Sequence, residues 1–234
     1  ACSGADPGSQ PADGDAAAAT PTIVVPERYA LRQSLDLSIN VTTTSVGGTF
    51  GRLQQQYTCE RGDASPHLVW EGVPDKAQSL ALVAEDPASD VNGLSVDVLW
   101  THWVVYSIPP DVTELESGQA AGDILENGAK QGTNDYGNVQ YNGPCPIPTL
   151  GLPTRRGAPA SSRTLTAEER PYHFRLYALD MTVDLPPGAD RDTLLEAIDG
   201  HVLAAGEMQV NYKSAKKVSC RTTDPADCVE RLVR

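Results

Sequence analysis

Leu35, Leu37, Ile39 and Val41 alternate with polar neighbours, the period of two that a half-buried strand requires. Val69-Trp70 is a shorter apolar step followed by a Gly-Val-Pro turn. Leu80-Ala81-Leu82-Val83-Ala84 is unbroken apolar, as in a strand covered on both faces, and it ends at Glu85-Asp86-Pro87. The run from Trp103 through Val104, Val105 and Tyr106 to Ile108 repeats that pattern and is stopped by Pro109-Pro110. Phe174, Leu176 and Ala178 then alternate with Arg175 and Tyr177, and Met208, Val210 and Tyr212 close the series.

Helical signals are scarce. Residues 190–199 place Leu194, Leu195 and Ile198 on one face and stop at Gly200, which suits the left-handed position after a helix. Asp224 and Pro225 read as N-cap and first position of a short helix running through Val233. Many strands and few helices predict a mostly β domain, mostly antiparallel, with a few short peripheral helices. Residues 147–171 are the outlier, rich in Pro, Gly, Ser and Arg without periodicity, and predict a long loop.

The 234 residues suit one domain with tails. The net charge of −13 disfavours nucleic acid and anionic membrane surfaces as partners. That charge is uneven. Residues 27–146 hold 6 basic and 16 acidic groups, whereas 147–171 hold 4 against 2 and 213–234 hold 6 against 3. No run approaches the roughly 18 apolar residues of a membrane-spanning helix.

Residues 1–26 are built from small and polar residues and cannot bury enough surface to order themselves. Ala1-Cys2-Ser3-Gly4 ahead of such a tether looks like the mature start of a bacterial lipoprotein, with a lipid on Cys2 and the domain held outside the cytoplasm in the cell envelope. Export would make disulfides available to Cys59, Cys145, Cys220 and Cys228. Cys220 and Cys228, close in sequence, are the first expected pair. Cys59 and Cys145 are either the second bridge or two buried thiols. Neither a metal-ligand spacing nor a cofactor motif is present, so no metal or cofactor is expected.

Candidate chemistry concentrates in residues 131–146, a stretch of Gly, Asn and Pro that carries Tyr136, Tyr141 and Cys145. It is too rich in breakers for a helix or interior strand, and a shaped loop with free backbone N–H groups can wall a small polar ligand. Asp86 emerges at the rim of one buried strand and His102 opens another.

Several motifs, in this order, resemble the phosphatidylethanolamine-binding protein family in its bacterial Raf-kinase-inhibitor-like branch. They are Tyr57-Thr58-Cys59 with Ser65-Pro66, residues 68–74, Asp86-Pro87, His102-Trp103-Val104-Val105, Asn134-Asp135-Tyr136-Gly137, Gly143-Pro144-Cys145-Pro146, Tyr172-His173-Phe174 with residues 176–180, and residues 200–207. The resemblance covers about residues 35–213. It implies a fold of two antiparallel sheets over residues 27–213, with the basic residues 214–234 as a C-terminal tail. It also implies a small anion pocket at one end of that fold.

Carried over, Asp86, Pro87, His102, Pro144 and Tyr172 match the family's pocket. Ala88 and Asp90 depart from its Asp-Pro-Asp-x-Pro motif, Gln140 and Asn142 replace two loop glycines, and Arg170 stands where the family has a second pocket histidine. A guanidinium donates to oxyanions at least as well as an imidazole. Beside a phosphate, Asp86 is expected to orient His102, to receive an ammonium group, or to be protonated.

Three functions compete. The first is a non-catalytic binder of a phosphate-like anion or phospholipid headgroup. The second is a protease inhibitor or docking module using residues 147–171. The third is a hydrolase in which Ser65 or Ser107 works with His102 and Asp86, although no Gly-x-Ser-x-Gly elbow is present. His67, His173 and His201 read as structural.

Overall fold

A computed structural model describes residues 31–48, 51–86, 89–91, 94–96, 100–145, 163–166, 169–214 and 217–220. The tether with Cys2, together with Pro87, Cys228 and the helix expected after Asp224, lies outside them.

The chain is mostly strand. In order, β1 is Asn40–Thr42, β2 Val46–Gly47, β3 Arg52–Leu53, β4 Leu68–Glu71, β5 Ser79–Asp86, β6 Ser89–Val91 and β7 Leu94–Val96. Then come β8 Trp100–Ile108, β9 Glu114–Leu115, β10 Lys130–Gln131, β11 Arg163–Thr166 and β12 Arg170–Leu179. Helix α1, Arg191–Ile198, precedes β13, Val202–Tyr212, and β14, Lys217–Cys220. A seven-stranded sheet runs β10-β8-β5-β12-β13-β3-β2 and a three-stranded sheet runs β1-β4-β9. Pairing is antiparallel except where β13 meets β3 at Asn211 and Arg52.

The two sheets enclose the main core. Leu80, Leu82 and Ala84 of β5 pack there with Trp103, Val105, Phe174 and Leu176, facing Val41, Leu68 and Trp70 of the small sheet. The alternate residues of β5, Ala81 and Val83, join Val104, Tyr177, Leu194, Leu195 and Ile198 in a second core beneath α1. Every residue of β5 is therefore buried, as its unbroken apolar run requires.

Glu85 is 2% exposed among these hydrocarbons and is held by ion pairs with Arg191 Nε, 2.7 Å away, and with Arg175. A buried carboxylate needs such compensation. The helix is set as its sequence predicts. Asp190 caps it by accepting the Thr193 N–H at 2.8 Å, and Gly200 takes the left-handed φ of 86° beyond its end.

Two expectations change. The first strand is only Asn40–Thr42, and Leu37 is 68% exposed. The Ile39 N–H and the Asp36 carbonyl instead bond to Ala205, so this segment crosses β13 rather than lengthening β1. Residues 147–171 are not loop throughout, nor is the whole tail irregular before its helix. β11 pairs with β14, placing Arg163 opposite Cys220. Each strand supplies the other's backbone partners across more than fifty residues, a pairing that local composition does not reveal.

Candidate functional site

The β5–β8 ladder shifts register between Ala84, which faces Trp103, and Glu85, which faces Thr101. His102 is the extra residue, so β8 bulges there, a device that re-aims a side chain. Its freed carbonyl accepts the Asn142 N–H at 3.0 Å and the Asn134 Nδ2–H at 3.3 Å. Its ring Nδ1 lies 2.7 Å from the Asn142 carbonyl, which can only accept, so Nδ1 carries the proton in the neutral ring. That leaves Nε2 as the unprotonated nitrogen of a histidine only 4% accessible, and Nε2, itself buried, has no hydrogen-bond partner among the described residues.

The loop that supplies Asn142 is built around Asn134. The Asn134 amide donates to Gln140 O and Asn142 Oδ1, and its carbonyl accepts the N–H groups of Tyr136 and Asn138. Gly137 turns the loop at φ 77°. The far end is clamped to residues 57–63. Gly143 donates to Asp63 Oδ1 at 2.9 Å, Tyr141 donates to the Tyr57 carbonyl at 2.8 Å, and Cys59 N–H donates to the Pro144 carbonyl at 3.2 Å. A disulfide joins Cys59 to Cys145, which settles the open choice between bridge and thiols. A Cβ on Gly143 would lie 2.2 Å from Tyr57 O, so only glycine fits.

His102, Tyr172 and Pro144 thus reach one place. With Ala84, Glu85, Tyr141 and Phe174 they line a hollow too pinched to seat a water. Tyr172 meets His102 edge-on with centroids 5.3 Å apart, and Tyr136 lies at 5.8 Å from the same ring. Desolvation pushes the imidazole down to about 4, helped by the charge of Arg170 and opposed by the Asn142 carbonyl and Asp135, so His102 is neutral at pH 7. Burial raises the Tyr172 phenol and holds Tyr136 up at about 12, so both remain hydrogen-bond donors.

Asp86 does not orient His102. It is ion-paired with Arg170, whose Nε and terminal nitrogen lie 3.3 and 3.5 Å from its two oxygens, and the imidazole is aimed by Asn142 instead. Neither candidate serine is bonded to the ring either. Ser107 donates to the Val183 carbonyl, and Ser65 Oγ accepts the Gln119 N–H. His67, His173 and His201 contact Glu114, Glu207 and Asp180 respectively, away from the hollow. No sequence pattern marked out Asn134 and Asp63 as supports, and Asn142 stood out only as a departure from glycine. Their signal is Asx chemistry in a loop, which marks a turn without naming its partners.

A family profile described as phosphatidylethanolamine-binding protein matches residues 43–155. A UPF0098 protein of Methanothermobacter thermautotrophicus is 40% identical over 163 residues, spanning 70% of this chain and 91% of that one. A UPF0098 protein of Pyrococcus horikoshii is 35% identical over 177 residues, 75% of this chain and 77% of the other. Among solved structures, a phosphatidylethanolamine-binding protein homologue from Chlamydia trachomatis superposes with a TM-score of 0.59 at 30% identity, covering 76% of this chain and 98% of that one. YbcL of E. coli, with a TM-score of 0.57 at 24% identity over 76% of this chain and 99% of its own, shares the fold.

Proposed function

This chain belongs to the phosphatidylethanolamine-binding protein family, and from that premise we propose that it is a non-catalytic binding protein for a small phosphate-like anion or a phosphorylated headgroup. The observation that carries the reading is the unpartnered Nε2 of buried His102, in a ring that lines the hollow with Tyr172 and Pro144. Buried polar atoms are nearly always satisfied, and an orphan in a shaped cavity marks the place of a missing partner.

Protonated, His102 offers Nε2–H to an oxyanion while Nδ1–H stays on Asn142. The Arg170–Asp86 pair beside it offers donors to an anion and acceptors to an accompanying ammonium. The hollow is too narrow for a phosphate in its closed form, so binding requires the rings around His102 to part. A hydrolytic role is disfavoured because neither imidazole nitrogen meets a hydroxyl nucleophile. Placement outside the cytoplasm, tethered through a lipid on Cys2, is part of the proposal. The Cys59–Cys145 disulfide supports it, since such bonds persist in oxidising compartments.

Calorimetric titration of the wild type and His102→Ala with phosphate and with phosphoethanolamine tests the site. The reading expects saturable binding that weakens about tenfold or more in the variant. Equal affinity in both proteins, or none in either, overturns it. Mass spectrometry of protein from its native host that finds no diacylglyceryl mass on Cys2 removes the tether.

A further inference from the structure

A second cleft lies apart from the hollow at His102. It opens where β13 ends against β2, β3 and the turn that follows, and it encloses about 570 Å³, within the usual range for a small-molecule site. Its lining reverses the character of the protein. The chain carries 31 acidic residues against 18 basic ones, yet Arg52, Arg61 and Lys213 line the cleft and no carboxylate is among its described lining residues.

Arg52 is braced by Glu169, whose oxygens take its Nε at 3.1 Å and its terminal nitrogen at 2.5 Å. Arg61 and Lys213 are both exposed, and the Glu169 carboxylate also feels the charge of Lys213. Three cations against that one carboxylate leave the cleft net positive on an acidic body, which attracts anions.

The remaining lining adds hydrogen bonding rather than hydrocarbon. Three consecutive glutamines, at 54, 55 and 56, bring amides that both donate and accept. Gln54 Nε2 is fixed on the Val46 carbonyl at 3.2 Å, leaving its oxygen as an acceptor. The Tyr212 phenol is buried and its hydroxyl is already engaged by Thr58 and the Glu60 carboxylate, so it backs the cleft wall. Leu53 is the only aliphatic side chain in the lining. Neighbouring groups that both donate and accept match hydroxyls, and the net positive charge of the lining matches one negative head.

We propose that this cleft is a second binding site, separate from the His102 hollow, for a hydroxyl-rich organic anion of the sugar-phosphate or sugar-acid class. Arg61 and Lys213 take the charged head, and the glutamines take the hydroxyls.

The test is calorimetry on the full chain with glucose 6-phosphate and with glucuronate, using glucose and inorganic phosphate as controls. At least one sugar anion should saturate, and whichever binds more tightly identifies the head as phosphate or carboxylate. Arg61→Gln combined with Lys213→Gln should weaken it about tenfold or more, the loss of charge-assisted contacts. His102→Ala should leave it unchanged. Both residues are exposed and outside any ion pair described, so circular dichroism should show the double variant folded. The proposal is overturned if neither anion saturates, or if the double variant binds like the wild type. It is equally overturned if His102→Ala abolishes binding, or if inorganic phosphate alone matches the sugar phosphate.

Discussion

His102 and Asn142 are joined by two reciprocal bonds. The Asn142 N–H donates to the His102 carbonyl at 3.0 Å, and the Asn142 carbonyl accepts the His102 Nδ1–H at 2.7 Å. The bulge in β8 makes the first bond possible, and the second fixes which nitrogen faces the hollow. A strand residue and a loop residue forty positions apart thereby form one unit.

That unit makes stability sensitive to acid. The imidazole titrates near 6.5 when unfolded and at about 4 when folded. Above the higher value both states are neutral and stability is full. As pH falls through this window the unfolded chain takes up a proton that the folded one refuses. Stability then drops by roughly 3 kcal/mol in total from this group. Urea unfolding at about pH 7 and about pH 4.5 should show His102→Gln losing less stability on acidification than the wild type.

Ligand affinity should move the opposite way. An oxyanion on Nε2 stabilises the imidazolium, so the bound pKa exceeds the free one and binding takes up a proton. Sulfate is the clean probe, because it does not titrate in this range. Its affinity should rise as pH is lowered from about 7 to about 5, and His102→Gln should abolish that dependence.

Asn134 organises the loop from its buried centre, so Asn134→Ala strands the Tyr136 and Asn138 N–H groups and takes a donor from the His102 and Gln140 carbonyls and from Asn142 Oδ1. The expected cost is about 2–4 kcal/mol in denaturant unfolding. In the folded remainder, the amides of Asn142 and Gly143 should exchange faster.

The Cys59–Cys145 bridge closes a separation of 86 residues. Replacing both cysteines with serine should lower stability by about 2–4 kcal/mol, as should a thiol reductant acting on the wild type. Non-reducing peptide mapping should recover this pair before any loss of activity or structure is assigned to it.

Glu85→Gln removes the carboxylate between Arg175 and Arg191, leaving Arg191 with only Asp192 and Arg175 with only Glu207 as described ion-pair partners. A loss of about 1–3 kcal/mol is expected. A larger fall in protection for α1 than for β4 would localise the damage, since Arg191 opens the helix.

Much of this was legible beforehand because burial writes itself into local pattern. The five-residue apolar run in β5 and the capped α1 were readable from single windows of sequence. The candidate set of Asp86, His102, Pro144, Arg170 and Tyr172 came only through an ordered resemblance; of these, His102, Pro144 and Tyr172 meet at the hollow, and Asp86 pairs with Arg170. What escaped depends on contacts between distant segments. The bulge at His102 follows from how β8 registers on β5, the Asp86–Arg170 pair from adjacency of β5 and β12, and the β11–β14 ribbon from a pairing that no periodicity marks. Leu37 failed because alternation states which residues would suit a core, not where the chain turns away from it.

The position of β12 between β5 and β13 has a consequence for synthesis. β10, β8 and β5 are complete once the ribosome has passed Gln131, whereas β12 begins only at Arg170. Until then β5, apolar along its length, presents an unpaired edge of the kind that templates aggregation. A nascent chain stalled in that interval is the form most in need of a chaperone.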